Sequence, residues 1–237
     1  ETRGYSTKIC VPGELEYRDS SLIAGDFEID IFFKRVLIHE FLERFDETHS
    51  LYQACSDGNV CMVNSFRSKI PHKKASFAIL TDPRYSWIFS SEQRDTIAKH
   101  VPWTRNFREG KTTYKGETVD LVEYIRAGRN RFVLKPNDEY GGKGIYFGWD
   151  SSEAEWDDAI AVALKTHYIV QERVSVEKTD IPVFMNGEAR IESLTVDFDP
   201  FLFRGNVEGG MVRLAAGSLV NITSGGGETA LAILEGF

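Results

Sequence analysis

Apolar and polar positions divide the chain into short strands and amphipathic helices. Residues 27–36 (FEIDIFFKRV) alternate polar with apolar side chains, then turn strongly apolar, and predict a strand. Residues 38–45 (IHEFLERF) carry apolar positions at helical spacing, and residues 59–64 (NVCMVN) form a short apolar strand. A helix is expected over 73–80, ending before Asp82-Pro83 because a residue ahead of proline is pushed out of the helical region. Ser90-Ser91-Glu92 offers a cap for a helix through Ala98. Residues 118–125 predict another helix, closed by Ala127-Gly128.

The second half begins with a strand running into Lys135, a glycine-rich loop, and a strand over 145–147. Ser151 and Ser152 cap a helix whose Ala154, Trp156, Ile160, Ala163 and Leu164 share one face. Residues 168–172 are the next strand. Beyond them, 191–202, 210–214 and 219–222 read as antiparallel strands joined at glycines. Strands stand before and after helices without strict alternation, which predicts an α+β fold rather than a doubly wound sheet. No internal repeat or low-complexity linker interrupts the chain.

Composition narrows the function. A formal charge of −8 argues against nucleic acid or an anionic membrane as the main partner, yet allows a local cationic pocket for phosphate. Cys10, Cys55 and Cys61 are too few and too scattered for a disulfide framework or a zinc site, and predict reduced thiols in a cytoplasmic protein. No run approaches the roughly 18 apolar residues of a membrane span, and no signal peptide opens the chain. It starts at Glu1 without methionine and stops in an apolar stretch, so a core fragment of a longer protein is expected. The five histidines sit in unrelated contexts, and no Ser-His-Asp or Cys-His arrangement stands out. Oligomeric state has no signature here.

The chemistry concentrates in residues 131–145, RFVLKPNDEYGGKGI. An apolar strand delivers Lys135, then come Asp138 and Glu139, then Gly141-Gly142-Lys143-Gly144. Glycines let backbone N–H groups approach an anion closely, and two lysines supply the charge that polyphosphate needs. The loop fits neither the Walker spacing nor the dinucleotide-binding spacing. About 25 residues on, Gln171-Glu172-Arg173-Val174 ends a strand with polar groups able to read an adenine edge. The ordered set points to an ATP site.

That order resembles the ATP-grasp superfamily, in particular its circularly permuted members. The similarity is to bacterial proteins of that type and, more distantly, to eukaryotic-type glutathione synthetase. It runs from about Asp26 to Gly227, with its strongest motifs at 133–144 (VLKPNDEYGGKG) and 220–227 (VNITSGGG). The resemblance implies an α+β fold of mixed and antiparallel sheets with flanking helices. It also implies a metal-strand and N-terminal nucleotide-binding portion over 1–130, and a glycine-loop, hinge and acceptor-loop portion over 131–237.

By the same resemblance Lys135 and Lys74 hold the nucleotide phosphates, with Lys73 as the alternative to Lys74. Gly141, Gly142, Lys143 and Gly144 form the loop that closes over them. Arg173 and Val174 offer backbone groups to adenine, with Gln171 or Glu172 on its exocyclic amine. Permutation would bring the metal strands to the front, with Asp30 and Asn64 as ligands. Met62 stands where the family has a glutamate, so Asp138 and Glu139 are expected to compensate at a Mg²⁺ site. Arg213, with Lys135 and Lys143, would meet the transferred phosphoryl group, and Asn221, Ser224, Gly225 and Gly226 would line the acceptor pocket. The implied activity is an ATP- and Mg²⁺-dependent carboxylate–amine, or carboxylate–thiol, ligase acting through an acyl-phosphate. Its partners would be small-molecule or peptide carboxylates and amines. A catalytically degenerate ATP-binding module and an ATP-grasp-like kinase are the alternatives.

Overall fold

The computed structural model describes residues 4–185, 187–217, 219–220 and 226–232. The chain divides into two compact units, Glu1–His72 and Lys73–Phe237. Helices and largely antiparallel sheets occur side by side, so the α+β class holds. No helix among the described residues is long and apolar enough to cross a membrane.

In the first unit β1 (Leu15–Arg18), β2 (Ser21–Ala24) and β3 (Phe27–Ile29) form an antiparallel meander. The strand expected over 27–36 is two strands in two different sheets. Ile29 pairs with Leu22 at the end of the meander, whereas β4 (Ile31–Phe33) pairs in parallel with β5 (Cys61–Val63). Asp30 is the switch between them. Helix α1 (Ile38–Arg44), α2 (Ser50–Ser56) and the short α3 (Lys69–His72) complete the unit. Phe41, Leu22 and Leu51 are its fully buried centre.

The second unit starts with α4 (Ala75–Thr81) and α5 (Ser91–His100). Ser90 caps α5 in a reciprocal capping box with Gln93, as its sequence position predicts. Strand β6 (Thr104–Asn106) is followed by the hairpin β7 (Lys111–Tyr114) and β8 (Glu117–Asp120), then α6 (Leu121–Ala127). The helix expected over 118–125 is therefore strand for its first three residues. Asp120 ends the hairpin and caps α6 by accepting from the Glu123 N–H.

Strands β9 (Phe132–Pro136) and β10 (Tyr146–Phe147), helix α7 (Glu153–Lys165) and β11 (Tyr168–Glu172) complete a four-stranded antiparallel sheet of order β10-β9-β11-β6. One sheet thus contains strands from both sides of position 130, where a division between portions was expected. Helix α7 covers the sheet with Trp156, Ala159, Ile160 and Ala163. Ala154 and Leu164, assigned to that face from spacing, lie at its edges and are exposed. Phe132, Leu134, Ile125 and Val170 fill the core beneath Trp156, whose indole N–H donates to the Ile125 carbonyl at 3.3 Å.

The chain ends in a second antiparallel sheet: β12 (Lys178–Met185), β13 (Glu188–Phe203), β14 (Asn206–Ala215) and β15 (Gly227–Thr229). The strand expected over 219–222 falls partly outside the described residues. Its described part, Leu219 and Val220, has no strand pairing.

Candidate functional site

Strand β9 is apolar and buried except at Lys135, so the alternation of the strand turns one ammonium out of the core. Its Nζ donates to Gln171 Oε1 at 2.8 Å across the β9–β11 ladder, where Lys135 faces Ile169. Gln171 is only 8% exposed and donates in turn to the Thr104 hydroxyl at 2.9 Å, which itself donates to the Pro102 carbonyl. A chain of neutral hydrogen bonds thus fixes the cation. Burial pushes the Lys135 ammonium below the ordinary lysine range, and the Lys74 charge beside it pushes further in the same direction.

Lys74 stands immediately before α4 and donates to the Glu139 carbonyl at 2.6 Å. The start of α4 is stitched to the glycine loop by two more bonds: Lys74 N–H to the Asn137 carbonyl, and Ala75 N–H to Asn137 Oδ1 at 2.8 Å. Lys73 turns instead toward Asp138, with Nζ 3.6 Å from Oδ2. Of the two lysines left open by the sequence, Lys74 is therefore the one whose charge acts on Lys135.

The loop between β9 and β10 needs glycine at two positions. Gly142 has φ +79, and a Cβ there would lie 2.3 Å from a Leu219 methyl. Gly144 has φ +70, and a Cβ would lie 2.9 Å from the Pro136 ring; its carbonyl accepts from the Tyr168 hydroxyl at 3.0 Å. Gly141 also has positive φ, and Lys143 is exposed at the loop tip.

The end of β11 is the expected hinge. Glu172 does not present its carboxylate to a ligand: Tyr114 donates to it at 2.6 Å and the Lys115 ammonium lies 3.1 Å away. The Glu172 N–H donates to the Trp103 carbonyl and the Arg173 N–H to the Arg131 carbonyl. The Arg173 guanidinium stacks over the Trp149 ring at 4.3 Å. Both expected readers of an exocyclic amine are thus engaged by the protein itself, Gln171 by Lys135 and Thr104, Glu172 by Tyr114 and Lys115. A cavity of about 330 Å³ opens here, bounded by Val133, Lys135, Trp149, the 171–174 segment and Thr195. A cavity of about 600 Å³ adjoins the same hinge, lined by Trp103, Glu172 and Val174, and one of about 610 Å³ lies beside Arg126 to Arg131; Lys135 lines neither, so size does not select the site.

The other expected residues are distributed differently. The parallel register Ile31↔Cys61, Phe33↔Val63 puts Asp30 before the first pair and Asn64 after the last. Asp30 offers its carbonyl to the Cys61 N–H. Asp138 and Glu139 are adjacent and half-buried beside the glycine loop. Among the described residues no cluster of three or more His, Cys, Asp or Glu side chains is arranged for a metal ion. A Mg²⁺ bound to triphosphate needs only one or two carboxylates; of the two expected here, Asp138 faces the Lys73 ammonium.

Arg213 lies on β14 opposite Asp197. Its Nε donates to Asp197 Oδ2 at 3.0 Å and is 3.0 Å from Asp199 Oδ2. Both aspartates are β13 residues sharing a face. Asn221, Ser224 and Gly225 lie outside the described residues, and Gly226 directly precedes β15. Thr104 and Arg105 are buried, and the half-buried Trp103 donates its indole N–H to the Thr113 carbonyl at 3.0 Å.

Sequence reasoning missed Thr104, Tyr114 and Lys115, which lock Gln171 and Glu172. No local signal marks them, because their roles arise only from the β6–β11 pairing and from side-chain contacts of the β7–β8 hairpin with the end of β11. No family model matches the chain, and no curated protein matches it.

Proposed function

We propose that the second unit binds ATP in the cavity beside Lys135, and that the chain is an ATP-dependent carboxylate–amine or carboxylate–thiol ligase. One arrangement carries the reading: Lys135, held by Gln171, lines the hinge cavity, and Lys74, tied to the Glu139 carbonyl, stands at the foot of the same glycine loop, with burial first and the Lys74 charge second lowering the Lys135 proton affinity. Two like charges held together cost free energy, and a polyphosphate is the partner that offsets this cost.

In this reading Lys135 and Lys74 take the phosphate oxygens. The loop N–H groups around Gly142 cover them, and Lys143 arrives with the closing tip. Apolar Val133 and Val174, with Trp149, give the base a dry slot. Mg²⁺ held by Asp138 and Glu139 would neutralise charge on the triphosphate. A carboxylate oxygen then attacks the γ-phosphorus, ADP leaves, and an amine displaces phosphate from the acyl carbon with loss of its proton. The demands on the protein are electrostatic and positional, so no side-chain nucleophile is required.

A second reading, nucleotide binding without turnover, draws support from the ion pairs that occupy Arg213. Calorimetric titration of ATP with and without Mg²⁺, beside GTP, tests the binding. Saturable, ATP-selective, Mg²⁺-dependent heat supports the nucleotide site, and its absence rejects it. Phosphate release that requires both a carboxylate and an amine or thiol separates ligase from silent module.

A further inference from the structure

A smaller cavity in the second unit, about 230 Å³, lies along one flank of α4 and the edge strand β6. Four cations line it, Arg84, Arg105, Arg108 and Lys111, against two carboxylates, Asp82 and Glu109. It is thus locally positive by two charges in a chain of net −8.

The floor shows why the excess matters. Arg105 is 4% exposed and Asp82 7%, so both charges are out of water. Asp82 is not available to Arg105 at close range, because Arg84 grips it in a fork: Nε to Oδ1 at 3.1 Å and Nη2 to Oδ2 at 2.6 Å. The nearest approach of Arg105 to that carboxylate is 4.0 Å. Its own N–H groups go to neutral acceptors: the Thr112 hydroxyl at 2.9 Å, the Thr104, Thr113 and Thr81 carbonyls at 2.7, 3.0 and 3.2 Å, and the Thr81 hydroxyl at 3.3 Å. Buried charges are ordinarily matched by an opposite charge in contact. Here one carboxylate serves two guanidiniums, and the exposed Arg108 and Lys111 add further positive charge at the rim.

We infer that this cavity is a binding site for a small, multiply charged oxyanion, with Arg105 beneath it and Arg108 and Lys111 around it. Its volume is below the range of about 300–1,000 Å³ usual for drug-sized ligands, which selects a pyrophosphate- or polycarboxylate-sized ion over a nucleotide. The occupant would bear on the helix whose first residues, through Lys74 and Ala75, hold the glycine loop. The site stands independently of the nucleotide reading.

Inorganic pyrophosphate is the probe, titrated calorimetrically into the wild-type chain, into Lys135→Ala, and into the exposed double variant Arg108→Ala/Lys111→Ala. Saturable binding is expected in the first two and should weaken at least tenfold, about 1.4 kcal/mol, in the third. Circular dichroism of the double variant should be unchanged, and so should its ATP affinity. Competition by citrate would identify the occupant as an oxyanion in general, and failure of citrate to compete would restrict it to phosphates. The inference is overturned if the wild-type chain does not bind pyrophosphate, if Lys135→Ala removes binding, or if the double variant retains it.

Discussion

Lys135 and Arg213 were both expected to meet phosphate, and the fold treats them oppositely. Lys135 is half-buried, held by a neutral amide and near another ammonium, so its charge is poorly compensated. Arg213 sits between two aspartates on the same sheet face, its charge already answered. The contrast gives a criterion: a cation kept for an anionic ligand is positioned by dipoles, whereas one bound to carboxylates is first of all holding strands together. By that criterion the β9–β11 ladder is the receptive region, and the β13–β14 ladder is self-sufficient.

The largest test of this contrast is Lys135→Ala, expected to weaken ATP at least tenfold, about 1.4 kcal/mol; unchanged calorimetric affinity would erase the distinction. Next is Gln171→Leu, which strips the Lys135 ammonium and the Thr104 hydroxyl of their partner. It should lower stability by about 1–3 kcal/mol in urea unfolding and loosen ATP with it. The pH response follows. The folded-state value of Lys135 is lowered, so its charged form opposes folding. Stability of the free protein should therefore rise as pH climbs from that value toward the unfolded lysine value of about 10.4. In the same window ATP affinity should fall and binding should take up protons, visible as a buffer-dependent heat; proton release would reverse the argument.

Arg213→Ala should cost about 1 kcal/mol of stability or less, since its pairs are partly exposed, and leave ATP affinity within about twofold. A large affinity loss there would make Arg213 a phosphate ligand after all. The smallest effect is expected from Glu172→Gln, whose side chain is engaged by Tyr114 and Lys115. The ratio of ATP to GTP affinity should stay within about twofold, and a larger change would return that carboxylate to the adenine pocket.

Features encoded locally were legible in the sequence. The Ser90 and Ser152 caps, the buried face of α7 around Trp156, and the strands ending at Lys135 and Glu172 need only neighbours within one or two turns. The β7–β8 hairpin escaped because its turn is Lys115-Gly116, with Lys115 at φ 48, rather than the Asn-Gly pair that announces such turns. The misread start of α6 follows from it, since Thr118 to Asp120 pair backward across that turn. The relation of Asp30 to Asn64 was beyond reach for another reason. Two strands can be recognised without knowing that they run in parallel, and the direction decides which ends meet. The Gln171–Lys135 bond likewise depends on a register between distant segments that no local pattern encodes.

Gly142 closes against Leu219, where any side chain on the glycine would stand. In the nucleotide reading the loop over the phosphates rests on this side chain, and opening toward it would have to displace Leu219. Bulk added at Leu219 would then change residence time more than equilibrium affinity, a kinetic signature that no phosphate-contacting residue would imitate.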